Sequence, residues 1–378
     1  ESGIEASGIG ITCANINGTQ IGGRRNIVIN GAMMVAQRGT STTDEGYLVD
    51  RIELEQTNLN EAPTQAQVDV SSSSTPYSEG FRKAFKITNG NQTSADANDR
   101  FQVFLKQEAQ NIANSGWNYT SSTSYITLQF WVKSSVAQNF YGYLRTKDGT
   151  GQIYRFETGS LTADTWTKVV KTIPGNSNLQ FDNDANEGLQ ITFALYYGAD
   201  FTDSGASLNA WGAYASGTRT PDMTGTLDDW YLTNDATWEL TGVQLEVGSQ
   251  ATPFEHRSYA EELALCHRYF FNIQGSTGYR TGISCYANSS SACRGVIYFP
   301  TVMRANPTFT GSATAMVFDS AADSASFNVN TISSGAANTN ENYNRAFLEV
   351  STSSMTAGQA GQLEFRASDG FMNFSAEL

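Results

Sequence analysis

The sequence predicts an all-β protein: an N-terminal trimeric stalk segment, a jelly-roll β-sandwich, one connecting helix and a smaller C-terminal β-sandwich. Three observations carry this. Aromatic residues make up 12% of the chain, with 34 Gly and only 7 Pro, a mix that suits strands joined by tight turns. Short apolar runs alternate with a period of two, and one stretch alone shows the helical period. At 378 residues the chain exceeds the roughly 250–300 at which single cores stop growing, so two domains plus an appendage are expected.

Residues 1–25 set Ile4, Ile9, Ile11, Ile16 and Ile21 among Gly, Ser and Asn. One copy of such a strip cannot bury its isoleucines, whereas three copies wound about an axis can, so it reads as the stalk. Residues 26–257 form the jelly roll. Its strands are expected near Asn26–Ile29, Tyr47–Leu54, Gln67–Val70, Lys83–Ile87, Tyr125–Val132, Asn139–Thr146, Ile153–Glu157, Thr167–Thr172, Leu189–Tyr197 and Ala236–Glu246. Ile126, Leu128, Phe130 and Val132 share one face, and the run from Leu189 to Tyr197 reads as its partner. Residues 258–271 are the helix, with Ser258 and Glu261 forming a capping box. Residues 272–378 return to short strands around Arg294–Phe299, Thr308–Thr310, Arg345–Ser351, Gln362–Ser368 and Phe371–Ala376, with exposed loops expected between Ser320 and Asn344.

Composition narrows the function. A net charge of −14 repels phosphate backbones and argues against nucleic acid as partner. No run of 18 apolar residues exists, so no membrane insertion is expected. The start at Glu1, without a basic n-region, reads as a cut from a longer chain. Cys13, Cys266, Cys285 and Cys293 match neither a disulfide framework nor a zinc pattern. They read as reduced thiols, with Cys285 and Cys293 close enough to bridge one hairpin.

Catalytic motifs are missing. His256 and His267 both fall in or beside the helix, and neither a nucleophile elbow nor a phosphate loop is present. Asp228 with Asp229, or Asp182 with Asp184, would supply paired carboxylates for glycan cleavage, but polar turns explain them as well. The loop with Asp182, Asp184, Asn186 and Glu187 alternates oxygen ligands and is the one candidate for a structural calcium. No other cofactor is expected.

Three stretches carry a family resemblance: Asn26 to Thr40, Ile126 to Lys133, and Leu240 to Tyr259 with the following Glu-Leu-Ala-Leu-Cys-His-Arg-Tyr. Together they resemble tail-fibre and tail-associated proteins of tailed phages, many of them cyanophages. The resemblance covers roughly residues 15–271 and implies a jelly roll similar to carbohydrate-binding modules, placed after a trimeric shaft. It implies a homotrimeric virion component, assembled in the host cytoplasm, joined to other tail proteins through a preceding segment. The expected function is non-catalytic attachment to a host surface polysaccharide such as lipopolysaccharide O-antigen. A purely structural fibre spacer and a polysaccharide depolymerase are the alternatives.

Sugar recognition uses aromatic faces for pyranose rings, with amide, carboxylate and guanidinium groups for hydroxyls. The candidates are Trp117, Tyr119, Trp211, Tyr214 and Arg219 in the jelly roll, and Tyr279, Arg280, Tyr286, Tyr343 and Arg345 in the C-terminal sandwich.

Overall fold

A computed structural model describes residues 15–16, 19–20, 25–225, 227–275, 282–320, 325–335 and 343–378. The expected stalk falls almost wholly outside them; Asn15–Ile16 and Thr19–Gln20 pair as a short antiparallel ladder. The described chain is almost entirely β and divides into two compact units, 1–257 and 258–378.

The first unit is a sandwich of a seven-stranded and a six-stranded sheet. The six-stranded sheet runs in the order Thr167–Pro174, Tyr125–Ser134, Thr237–Val247, Lys83–Thr88, Thr64–Asp69 and Ser41–Thr42. The seven-stranded sheet runs Trp211–Ala213, Gln152–Glu157, Tyr141–Thr146, Glu187–Tyr197, Arg100–Glu108, Glu53–Thr57 and Gly46–Tyr47. The runs around Phe130 and Phe193 are partners across the core rather than neighbours in one sheet: their rings meet edge to face at 4.9 Å. Both rows of alternate residues point inward, and each such buried side chain contributes about 1.5–3 kcal/mol over an exposed one.

Two expectations change here. Asn26–Ile29 is not a strand, because the buried Asn26 side chain takes the place of a ladder. Its Oδ1 accepts from Val28 N and Leu245 N, and its Nδ2 donates to Val243 O. The expected strand Tyr47–Leu54 splits in two, with Arg51 in the left-handed region at φ 71° between the pieces. The nine-residue strand Arg100–Glu108, central to its sheet, is absent from the sequence-based assignment although Phe101, Val103 and Leu105 alternate inward.

In the second unit the helix runs Tyr259–Cys266 and shows both capping-box bonds. It ends earlier than expected because Phe270–Gln274 leaves as a strand against Phe371–Ser375. The sandwich consists of a three-stranded sheet and a seven-stranded sheet ordered Ala325–Asn328, Met316–Ser320, Ala360–Phe365, Ile283–Ala287, Ala292–Tyr298, Arg345–Ser351 and Thr331–Gly335. Phe318, Leu348, Leu363, Phe365 and Phe374 fill its core. Two of its strands lie inside the stretch expected to be loops, which corrects that expectation for residues 325–328 and 331–335.

Candidate ligand-binding faces

Within the stretches that carry the family resemblance, the buried residues serve the scaffold. Glu246, 1% exposed, accepts from Gln244 Nε2 and Thr252 N at 2.9 Å each and from Thr252 Oγ1 at 2.6 Å. Glu255 accepts from the backbone N–H groups of Arg25 and Asn26 and pairs with Arg257. Burial would raise the Glu255 carboxyl, but those two N–H bonds and Arg257 outweigh it and bring it below its ordinary value. Asn30 sits in the left-handed region at φ 59°, which asparagine tolerates in a tight turn. Gly31 serves otherwise: a Cβ there would lie 2.0 Å from Val243 O, so glycine is required by close approach. These residues tie the start of the unit to its last strand.

The outer face of the seven-stranded sheet in the first unit is a different kind of surface. Alternation sends Phe101, Val103 and Leu105 into the core and Arg100, Gln102, Phe104 and Lys106 outward. The register places Gln190 opposite Lys106 and Arg145, and Thr192 opposite Tyr143. The resulting cleft of 230 Å³ is lined by Glu55, Arg100, Gln102, Phe104, Lys106, Tyr143, Arg145, Lys147, Gln190 and Arg219.

Three guanidinium groups lie over aromatic rings. Arg145 sits 3.5 Å above Tyr214, and Arg100 and Arg219 lie 5.4 and 5.0 Å from the ring of Phe201. Arg219 is 9% exposed; Arg155 supports its loop by donating to the carbonyls of Thr218 and Arg219. The Tyr143 and Tyr197 hydroxyls meet at 3.1 Å, and Tyr197 donates to Gln102 Oε1. Burial pushes both phenols up. Burial works against the Arg219 charge, yet the neighbouring Tyr143 and Tyr197 outweigh it and carry its pKa above the ordinary value. The face is preorganised and presents donors, acceptors and rings together.

Of the jelly-roll candidates, Arg219 lines this cleft and Tyr214 supports it as the ring beneath Arg145. Trp117 does not: it is 3% exposed, its indole donates to Ser124 O, and it belongs to the core, so the expectation that it contacts glycan is corrected. Tyr119 packs edge-on against Phe181 at 5.0 Å, and Trp211 donates to Pro174 O beside Tyr154. Arg100, Gln102, Tyr143, Arg145 and Gln190 escaped sequence reasoning. Their signal was the polar half of alternating strands, and one of those strands went unassigned.

The second unit presents an open face. Tyr286, Arg294, Val296, Tyr298, Arg345, Phe347 and Glu349 project from the outer side of three neighbouring strands around a 770 Å³ groove. Tyr298 is 68% and Tyr286 52% exposed. Arg345 stands 5.0 Å above the Phe347 ring, and Arg294 pairs with Glu349 at 3.2 Å. Tyr286 and Arg345, both singled out by sequence, share this face. Tyr343 is exposed just ahead of the strand Arg345–Ser351, while Tyr279 and Arg280 lie outside the described residues. Tyr298 and Phe347 were missed, although outward aromatics in an alternating strand were their signal.

The remaining candidates are held by their neighbours. Asp184 binds the backbone and side chain of Asn186, and the carbonyls of both accept from Ala109 N and Gln110 N at the start of a short helix, Ala109–Ala113. Glu187 pairs with Lys147 at 3.2 Å, and Asp182 accepts from Gln180. Among the described residues no group of three or more His, Cys, Asp or Glu side chains is placed to hold a metal ion. Asp228 accepts from Gly225 N in a surface turn. His256 bonds Glu79 O and packs against Phe81 and Phe254, whose rings also meet each other. Burial lowers the His267 pKa. Cys285 and Cys293 are free thiols in mutual hydrogen-bond contact, which with burial drives the Cys285 thiol up.

No protein-family model and no curated protein matches the chain. Among solved structures it is similar to the enzymatically active domain of tailspike protein 4 of bacteriophage CBA120, at 11% identity and a TM-score of 0.30 over 59% of this chain. The chain spans 21% of that domain's length. It is also similar to the family 11 carbohydrate-binding module of Clostridium thermocellum, solved with a mixed-linked tetrasaccharide, at 10% identity and a TM-score of 0.26 over 56% of this chain and 97% of that one. The N-terminal cellulose-binding domain of a Cellulomonas fimi β-1,4-glucanase gives 11% identity and a TM-score of 0.26 over 58% and 99%. Values this low assign neither ligand nor activity to the chain.

Proposed function

We propose that the chain is a non-catalytic glycan-binding protein of a phage tail fibre, and that its first unit holds a cell-surface polysaccharide in the cleft of the seven-stranded sheet. One observation carries the reading: the cleft combines side-chain amides at Gln102 and Gln190, the Tyr143 phenol held from behind by Tyr197, and guanidinium groups set over aromatic rings. That is the group set a sugar hydroxyl lattice calls for, and it is rigid before any ligand arrives. The motifs around Asn26 and Leu240 support placement in a tail fibre. The host ligand is a surface glycan of the O-antigen kind.

The open aromatic face of the second unit supports a second contact, because Tyr286, Tyr298 and Phe347 offer ring faces to pyranose sugars. Each site is weak on its own. Trimerisation through the stalk makes attachment strong by multivalency, and light scattering of the full chain is expected to give three times the chain mass.

The test is a glycan array of bacterial surface polysaccharides probed with the full chain and with Tyr214→Ala. Retention of a defined glycan class by the wild type, reduced about tenfold or more by Tyr214→Ala at unchanged thermal stability, is the expected result. A chain that retains no glycan is a structural spacer instead. Release of oligosaccharide, lost in Asp228→Asn with Asp229→Asn, turns the reading to a depolymerase.

A further inference from the structure

The cleft is cationic in a protein that is not. Against a chain charge of −14, its lining holds Arg100, Lys106, Arg145, Lys147 and Arg219 with Glu55 as the one carboxylate. Arg100 pairs with Glu55, Lys106 with Glu53 at 2.6 Å, and Lys147 with Glu187 at 3.2 Å. Arg145 and Arg219 are left without an acidic partner among the described residues.

Neither is a freely solvated surface charge. Arg219 is buried and spends its Nε on Ser216 O at 3.1 Å, and half-buried Arg145 stands 3.5 Å over the Tyr214 ring with its Nε buried and without a hydrogen-bond partner. A guanidinium in a cleft without a carboxylate beside it keeps its donors open to an incoming anion. Stacking fixes the plane of the fork, so its terminal N–H groups can meet two oxygens side by side. At 230 Å³ the cleft is smaller than the roughly 300–1,000 Å³ of a site for a whole small-molecule ligand, and so suits one charged residue of a longer polymer.

Resting on the glycan reading above, we infer that the ligand is an acidic polysaccharide, and that Arg145 and Arg219 receive the carboxylate of a uronic acid residue while Gln102 and Gln190 bind its hydroxyls. The cleft selects for charge; the neutral groups orient the ring.

Titration calorimetry of the full chain decides it, using oligosaccharides of galacturonate, glucuronate and mannuronate, each beside its carboxyl-reduced form, with a sulfated neutral oligosaccharide as a further arm. At least one uronate oligomer is expected to bind about tenfold or more tighter than its reduced form, with the advantage shrinking between about 50 and 300 mM salt. Arg145→Gln should erase the preference, and Arg145→Lys should restore it in part, since it keeps charge and loses the fork. Equal binding of acidic and reduced forms, or tightest binding of the sulfated sugar, overturns this inference and leaves the glycan reading standing. If no saccharide binds in any arm, both fall.

Discussion

The two units bury different things. The first inters charged and polar groups alongside its aromatic core: Asp50, Asp99, Glu108, Arg155 and Glu246 are each 6% exposed or less, most of them tied to backbone groups or amides. In the second, the described buried polar residues are Glu262, Ser320, Thr352 and Glu364, and the rest is aliphatic, aromatic, Cys and Met. Their outer faces differ in the same sense. The first offers a small cleft of fixed charges, the second a wide groove of exposed tyrosines. Buried polar networks are rigid when satisfied and define one geometry, which suits recognition of a particular charged group. Exposed rings on a simple sheet are permissive, since a ring face makes no directional demand.

The largest effect tests whether the units have separate cores at all. Phe130→Ala removes a ring that meets Phe193 in the first core, and Phe318→Ala a fully buried ring in the second. Each should cost about 3–5 kcal/mol and shift one calorimetric transition while leaving the other in place. A single transition that moves with either substitution would show one cooperative core and end the comparison.

Next comes the buried network of the first unit. Glu246→Ala strands the donor of fully buried Gln244 and removes the acceptor for half-buried Thr252, so a loss of about 2–3 kcal/mol is expected in urea unfolding. Arg294→Ala, whose ion pair with Glu349 is half exposed and screened by solvent, should leave the unfolding of the second unit nearly unchanged. Equal costs would mean that the first unit's polar burial carries no special weight.

The same contrast explains what could be read from sequence. The period-two runs around Ile126, Leu189 and Arg345 gave the strands directly, and Ser258 with Glu261 announced the helix start, since these signals are local. Asn26–Ile29 was misread because its hydrogen bonds run through a side chain to residues more than 200 positions away. The cleft was half legible: Tyr214 and Arg219 stood out as an aromatic and a cation in a Gly-rich stretch. Arg145 did not, because its ring partner and its missing carboxylate are facts of sheet register, and Trp117 stood out for a composition that in fact serves the core.

The smallest expected effect concerns Asp99, which the first unit buries without a cationic partner among the described residues. Its Oδ2 accepts from Tyr231 and from Asp96 N, while its Oδ1 has no partner. Burial raises the carboxyl pKa, and those two hydrogen bonds only partly offset it. A carboxyl raised in the fold favours the native state below its unfolded value of about 3.9 and loses that contribution as pH climbs through the folded value. Wild-type Asp99 is therefore a cost at neutral pH, and Asp99→Asn, which keeps the shape without the charge, should melt higher than wild type there. The gap should close as the pH is lowered through the carboxylate range. Melting curves that run parallel at every pH would show that the first unit holds this carboxylate without strain, and that its buried charges are cheaper than the contrast with the second unit implies.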